Sequence, residues 1–296
     1  MNGNSNLSLF SGRGKSWVYT ALVCVIGVVF VAPLVLMIIG SLKSLGEINS
    51  AQFRFLPAVP QFSNYIEVFR RGEWGRWIFN SAYITFLATI ISLLLNLAAG
   101  YAFARLDFPG KRIIFALALT GLLMPPQVTL APMYILMAKF PLVGGNNIFG
   151  AGGSGFIDTY GGLIIPFIAG SFGVFLARQY YLGFPSSLDD SSKIDGCSRL
   201  RTFISIYLPL SQPLLASLGI IKATFTWNQY AWPLVITNSS KMRTVQLALD
   251  IFKGEDYVEW NLLLAATTLV ALPLLIMFLK WQKAFLQVNA SSGTKG

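Results

Sequence analysis

Six separate stretches of this chain are each apolar over about the 20 residues that a helix needs to cross the hydrocarbon core of a bilayer. They run Trp17–Gly40, Trp77–Ala104, Ile113–Met137, Tyr160–Leu182, Ser211–Ile236 and Asn261–Leu279. A soluble domain would have to bury all six and cover them with charge. The composition leaves no such cover: 54% of the 296 residues are hydrophobic and 11% are charged, against roughly 25% charged in an average soluble domain. Disorder is excluded by the same hydrophobicity. The expectation is an all-α polytopic membrane protein with six transmembrane helices. Arg13 and Lys15 precede the first stretch as they would a signal peptide, but the apolar run is too long for a signal core and no small-residue cleavage site is convincing. It reads as a retained helix.

Charge gives the orientation. With the N-terminus inside, the cytoplasmic segments hold twelve of the 22 basic residues and four of the 12 acidic ones. The outer segments hold nine bases and eight acids, and Lys222, inside a helix, completes the total. The base count leans inward and the shortest loop, Arg105–Arg112, is clearly basic, so both termini are expected in the cytoplasm. The net charge of +10 is then an orientation signal rather than a sign of nucleic acid. The organisation that follows is a cytoplasmic N-terminus (1–16), a first helix (17–40), an outer loop (41–76), a five-helix core (77–282) containing a long cytoplasmic loop (183–213), and a cytoplasmic tail (283–296).

Several chemistries are excluded. The chain has no histidine, which removes Ser-His, Cys-His and His-metal sites. Cys24 and Cys197 lie far apart and suggest no disulfide framework. The outer glycine runs Gly144-Gly145 and Gly150–Gly155 lack the Gly-Lys-Ser/Thr ending of a nucleotide loop and read as a flexible loop. The carboxylates Asp250, Glu255, Asp256 and Glu259 read as a solvated face. No cofactor and no metal are expected, and the chain is not expected to be an enzyme.

The loop 183–213 carries more information. Pro185, Ser186 and Ser187 open a short helix, with serines at capping positions and Asp189 and Asp190 near its positive end. Gly196 closes it as a residue able to take positive φ. Ser198 caps a second helix in which Leu200, Phe203, Ile204 and Tyr207 form one apolar stripe, and Pro209 ends that helix. A docking knob for a cytoplasmic partner and an interfacial helix lying on lipid both fit this pattern.

The same segment resembles the EAA loop of ABC-importer permeases. That motif reads Glu-Ala-Ala, three residues, Gly, nine residues, Ile, any residue, Leu-Pro. Here Asp190-Ser191-Ser192, then Gly196, then Ile206-Tyr207-Leu208-Pro209 keep its spacing, and Leu188 and Asp189 fit the leading residues. Asp-Ser-Ser stands in place of Glu-Ala-Ala, which shortens the acid by one methylene. Other stretches are similar to the carbohydrate branch of that family, typified by the maltose transporter's smaller permease. They are Ala99–Arg105 with Phe108–Lys111, Phe172–Gln179 and Thr226–Leu234. The resemblance runs from about Asn64 to the end.

The resemblance implies a type I ABC-importer permease fold in a bacterial cytoplasmic membrane. It implies a second permease as heterodimer partner, a cytoplasmic ATPase dimer that binds ATP and Mg, and an extracytoplasmic binding protein that delivers a sugar or oligosaccharide. The coupling residues carried over are Leu188, Asp189, Asp190, Ser191, Ser192, Asp195, Gly196, Ile206 and Pro209. The tail residues Lys295 and Gly296 are expected to reach the ATPase interface, and the last outer loop, Thr237–Trp260, to reach toward the binding protein. The chain itself has no nucleotide loop ending in Gly-Lys-Ser/Thr, in keeping with that division of labour.

Inside the passes, Lys222 is an intramembrane ion and by default faces a cavity or a partner. Trp227, Asn228 and Gln229 fit either sugar binding or helix–helix packing. Pro125 and Pro126 break the third pass, and freed carbonyls are tolerated only against protein or a water-filled path. Asn80 and Asn96 read as packing residues. The competing reading is an ion-coupled secondary transporter, which would carry internal repeats and intramembrane carboxylates. No convincing repeat is seen, and no Asp or Glu falls in the six stretches.

Overall fold

The computed structural model describes residues 13–52, 54–254 and 256–292, and the side chains of 17, 19–52, 54–254 and 256–280. Among these residues every regular element is helical, apart from one antiparallel bridge between Lys253 and Val258. Three helices are long and apolar enough to cross a membrane by themselves, and up to five spans result if each of two bent helix pairs is one crossing. The long helices are α1 (Arg13–Ser41), α2 (Trp74–Arg105) and, at the far end, Trp260–Ser292.

The other three expected passes are interrupted. The third divides into α3 (Lys111–Thr120) and α4 (Pro126–Ala138), with Pro125 extended at the N-cap and Pro126 in the first turn. Proline fits a helix start because no N–H is needed there. The fourth starts as a short turn of helix, Tyr160–Ile164, leaves the helix after Phe167, and resumes as α5 (Ser171–Leu182) with a bend of 41°. The fifth is α8 (Gln212–Trp227) followed by the short helix Ala231–Ile236.

The contacts divide the chain into two compact units: residues 1–68 with 252–268, and residues 69–251 with 269–296. In the first, buried Asn64 ties the end of α1 to the outer segments. Its amide donates to the Ser41 and Lys43 carbonyls at 2.8 and 2.9 Å and accepts from Asn261 at 3.0 Å. Side chains along α1 such as Leu22, Val28 and Phe30 stay exposed, as suits a helix solvated by lipid or by another protein.

In the second unit, two apolar clusters are strung along α2. Nearer its N-terminus, Ile84 and Ala88 pack with Met137, Leu163, Trp232 and Ile236. Nearer its C-terminus, Leu97 and Tyr101 pack with Ala177, Tyr181, Phe203, Tyr207 and Leu218. Close approach of α2 and α5 depends on Gly100: a β-carbon there would sit 2.4 Å from the Ala177 Cβ and 2.9 Å from backbone. Small residues at such a crossing are the usual device of membrane helices, which lack a hydrophobic drive to associate.

The glycine-rich segment expected as a flexible loop is tied down. Buried Asn146 donates to the Ala138 and Phe140 carbonyls at 2.9 and 3.0 Å and accepts from Gly153 N–H at 2.9 Å. Asp158 accepts from the backbone N–H groups of Asn238 and Ser239, each at 3.0 Å. Partial burial raises its carboxyl pKa, but those hydrogen bonds outweigh the burial and hold it below the ordinary 3.8. Asn80, expected only to pack, clamps the outer segment: it donates to the Lys241 and Arg243 carbonyls at 2.8 Å and accepts from the Tyr160 hydroxyl at 2.6 Å.

Candidate functional site

The loop 183–213 folds as two short helices, α6 (Ser187–Ile194) and α7 (Arg199–Leu210), joined at Gly196. Gly196 has φ +68°, the left-handed conformation anticipated for it. Ser198 caps α7 as expected, accepting from Arg201 N–H at 3.3 Å. The serine cap of α6 does not form. Ser186 is already helical (φ −64°, ψ −24°), so its side chain makes no capping bond; a capping side chain acts from extended backbone.

The apolar stripe of α7 splits. Phe203 and Tyr207 are buried, whereas Leu200 and Ile204 are 68% and 51% exposed. The four residues form two i, i+4 pairs on neighbouring faces, one turned into the bundle and one turned out. A π turn over Phe203–Tyr207 widens the helix just ahead of Pro209, and the helix continues through that proline to Leu210 instead of ending there. With Ile194, which is 86% exposed, Leu200 and Ile204 make an apolar outer surface.

Arg105, the last residue of α2, seats this knob. Its guanidinium pairs with Asp189 at 3.3 Å, donates to the Tyr181 and Phe184 carbonyls, and lies 5.6 Å from the Tyr207 ring centre. Burial first, and then the adjacent Asp189 carboxylate, hold the Tyr207 phenol well above its ordinary pKa of 10.0. A hydroxyl relay fixes the 78° bend between α7 and α8: Tyr181 donates to Ser211 at 2.9 Å and Ser211 to the Tyr207 carbonyl at 2.6 Å. Arg105 was not among the expected site residues, although it closes the Ala99–Arg105 stretch that carries the resemblance.

The remaining coupling residues divide by exposure. Ser192 is buried and donates to the Asp189 carbonyl at 2.8 Å, while Leu188 and Ile206 are half-buried. Asp190, Ser191, Asp195, Gly196 and Pro209 are exposed, with Asp190 paired to Lys193 at 3.2 Å. Lys295 and Gly296 lie outside the described residues.

The second set of candidates lies deeper, and the structure separates its members. Trp227 is buried and donates its indole N–H to the Val270 carbonyl at 3.1 Å, which makes it a helix-packing residue. Asn228 accepts from Gln246 at 2.9 Å, and Gln229 donates back to the Phe225 carbonyl at 3.3 Å. Pro125 and Pro126 are exposed.

Lys222 has no hydrogen bond and no ion pair among the described residues; its ammonium lies 5.7 Å from the Phe167 ring centre and 5.5 Å from that of Phe225. Phe167 is the last helical residue before the break in pass four. The break in pass three lies against the same place: a β-carbon on Gly121 would sit 2.3 Å from Ser171 Oγ, at the start of α5. Asn96 takes up one of the freed donors there, accepting from Gly170 N–H at 3.3 Å.

A groove of about 550 Å³ runs between α2, α8 and the last helix. Its lining includes Ala216, Gly219 and Ala223 from α8, and Thr85 and Thr89 from α2. The hydroxyls of both threonines are buried without a partner among the described residues.

Comparison with known proteins places this geometry. Residues 96–287 match the family described as the binding-protein-dependent transport system inner membrane component. The chain is 32% identical over 284 residues to the arabinooligosaccharides transport system permease protein AraQ of Halalkalibacterium halodurans, covering 95% of this chain and 97% of that one. It is 31% identical over 274 residues to AraQ of Bacillus subtilis, covering 92% of each. Among solved structures it is similar in fold to a chain of a bacterial ABC transporter that imports the acidic polysaccharide alginate. The TM-score is 0.77 at 20% identity, over 94% of this chain and 100% of that one.

Proposed function

This chain belongs to the family of binding-protein-dependent transport system inner membrane components, and on that premise we propose that it is one permease subunit of an ATP-driven oligosaccharide importer. It is a membrane transport component and no enzyme; ATP and Mg are bound by partner subunits. Six crossings with both termini in the cytoplasm are counted by taking the bent fourth and fifth passes and the divided third pass as one span each. The membrane is the cytoplasmic membrane of a bacterium, matching the source of the arabinooligosaccharide relatives.

The observation that carries the reading is the knob 183–213. It is seated on Arg105 from inside and presents Ile194, Leu200 and Ile204 outward. An apolar outer face with a rigid inner seat suits transmission of a push from an ATPase into the bundle. Leu188, Asp189, Ser192 and Ile206 hold the knob in place, and Asp190, Ser191, Asp195, Gly196 and Pro209 lie on its exposed side. Lys295 and Gly296 extend the ATPase contact through the tail. A second permease fits the groove that carries Ala216, Gly219 and Ala223, since small residues admit a neighbouring helix. The binding protein docks on the outer segments, which Asn80 and Asp158 hold in position. The pathway runs past Lys222, Asn228, Gln229 and the Pro125-Pro126 break. Trp227 supports it from behind.

The absence of carboxylates from the six stretches speaks against ion coupling as the energy source. Purification through this chain, co-expressed with the transport subunits encoded beside it, tests the reading. An ATPase and a second permease are expected to co-purify. A chain that purifies alone and remains folded would sink it.

A further inference from the structure

Three helices carry their irregularities at one depth. From their cytoplasmic ends, α3 runs ten residues to its break, α5 runs twelve from the break in pass four, and α8 reaches Lys222 after ten. At 1.5 Å per residue these are about 15–18 Å, half of a hydrocarbon core about 30 Å thick. The breaks adjoin at Gly121 and Ser171, and the Lys222 ammonium lies by Phe167 at the edge of the second break. Non-helical backbone at this depth is tolerated only inside protein or along a water-filled cavity. Ala169 within the break is exposed in this single chain, as are Phe172 and Phe225 beside it.

Among the described residues nothing balances Lys222. The other basic groups drawn into the bundle are matched: Arg105 has a carboxylate and two carbonyls. Arg178 donates to the Phe103 carbonyl at 3.3 Å and stacks 4.4 Å from the Phe115 ring centre. Lys222 has only the faces of two phenylalanines. Aromatic faces attract a cation but accept no strong hydrogen bond from it. The elements packed against α8 offer no acid, because none falls in any of the six stretches. The counter-charge must come from outside this chain, at a point where two helices are unwound beside it.

We infer that Lys222 selects for an anionic group, a carboxylate or a phosphate, on the saccharide that passes this break. The inference rests on the permease reading and adds a substrate class to it. Phe167 and Phe225 hold the ammonium in place and offer flat apolar faces to the sugar ring. The anion supplies the hydrogen-bond acceptors that the chain withholds.

The test uses the whole transporter, with partner permease, ATPases and binding protein, reconstituted in vesicles. Uptake is measured for an oligouronate, a phosphorylated oligosaccharide and a neutral oligosaccharide of equal length. In the Lys222→Met variant, uptake of at least one anionic sugar relative to the neutral one is expected to fall about tenfold, the scale of a lost charge-assisted bond. Lys222→Arg should keep most of the ratio, and whichever anionic sugar responds identifies the group. An unchanged ratio overturns the inference, as does a wild-type transporter that carries only the neutral sugar. If Lys222→Met instead releases the partner permease on purification, the lysine pairs with that subunit, and the inference is likewise overturned. Failure of the wild-type subunits to assemble would strike the permease reading itself, a result distinct from all of these.

Discussion

Arg105 and Lys222 are both cations drawn out of bulk water, and the molecule treats them in opposite ways. At the end of α2, Arg105 meets Asp189, two backbone carbonyls and the Tyr207 ring. Halfway along α8, Lys222 meets only two aromatic faces among the described residues. The first arrangement is closed in its ion pair and carbonyl bonds, with only Arg105 Nε and Asp189 Oδ1 buried without a partner among the described residues, so the knob 183–213 moves with the ends of α2 and α5. The second is open, and can be completed only by something the chain does not supply. A rigid site suits force transmission, and an incomplete one suits a passing or partner group.

The sharpest way to break this contrast is to open the closed end. Replacing Arg105 by Met leaves Asp189 as an uncompensated, largely buried charge, with a side chain only 14% exposed. Removing one partner of such a pair destabilises by about 3–5 kcal/mol. The expected outcome is loss of uptake for every sugar, with less ATPase retained on purification. Uptake that falls for anionic sugars alone would show that the two ends had been assigned the wrong way round.

A smaller effect is expected where α2 crosses α5. In Gly100→Ala, the new methyl must push aside Ala177 and the backbone behind it. Overpacking of this kind costs about 1–3 kcal/mol. Since α2 carries the Arg105 seat and α5 carries the break beside Lys222, this variant should lower thermal stability and impair transport of all substrates together. A melting temperature equal to that of the wild type would mean the crossing is looser than its geometry indicates.

How much of this was legible beforehand depended on how local the cause was. Gly196 and Ser198 announce their roles through their own backbone, and both behave as the sequence implies. The long helices are marked by runs of apolar residues and need no partner to be recognised. The division of Leu200 and Ile204 from Phe203 and Tyr207 could not be read in the same way. Periodicity places all four on one side, whereas the face that becomes buried is set by Tyr101 and Tyr181 arriving from distant segments. Trp227 fitted either sugar binding or helix packing for a related reason: the partner of its N–H, the Val270 carbonyl, lies 43 residues further on. Prolines marked the break in pass three. Pass four also carries a proline, Pro166, four residues before Gly170, but the break there was missed.

A milder test of the closed end concerns the hinge rather than the seat. Gly196 is left-handed but has no atom within 4 Å of a built β-carbon, so strain can be changed there without a clash. A side chain in this conformation costs roughly 1–2 kcal/mol, and a β-branched one lies toward the upper end. Gly196→Val should therefore leave the bundle folded while tilting α6 against α7. ATP hydrolysis by the assembled transporter is expected to continue with reduced uptake per ATP. Full coupling in this variant would mean that the knob transmits force without a fixed angle between its helices.

The smallest effect belongs to the outer face, which serves as a control on both ends. Asp158 is held below its ordinary pKa of 3.8 by hydrogen bonds from Ser239 and Asn238, despite the opposing effect of burial. A depressed carboxyl pKa adds stability above the unfolded value, and that contribution disappears as pH falls through the folded one. Thermal stability should therefore decline below about pH 3.8 with a component that Asp158→Asn removes. Near neutral pH the same substitution should cost under about 1 kcal/mol, since the group is only partly shielded from solvent. Neither the Arg105 seat nor the Lys222 break lies on this face, so the preference between anionic and neutral sugars should not move. If Asp158→Asn changed that preference, the selection attributed to Lys222 would have to be made earlier, where substrate first enters from outside.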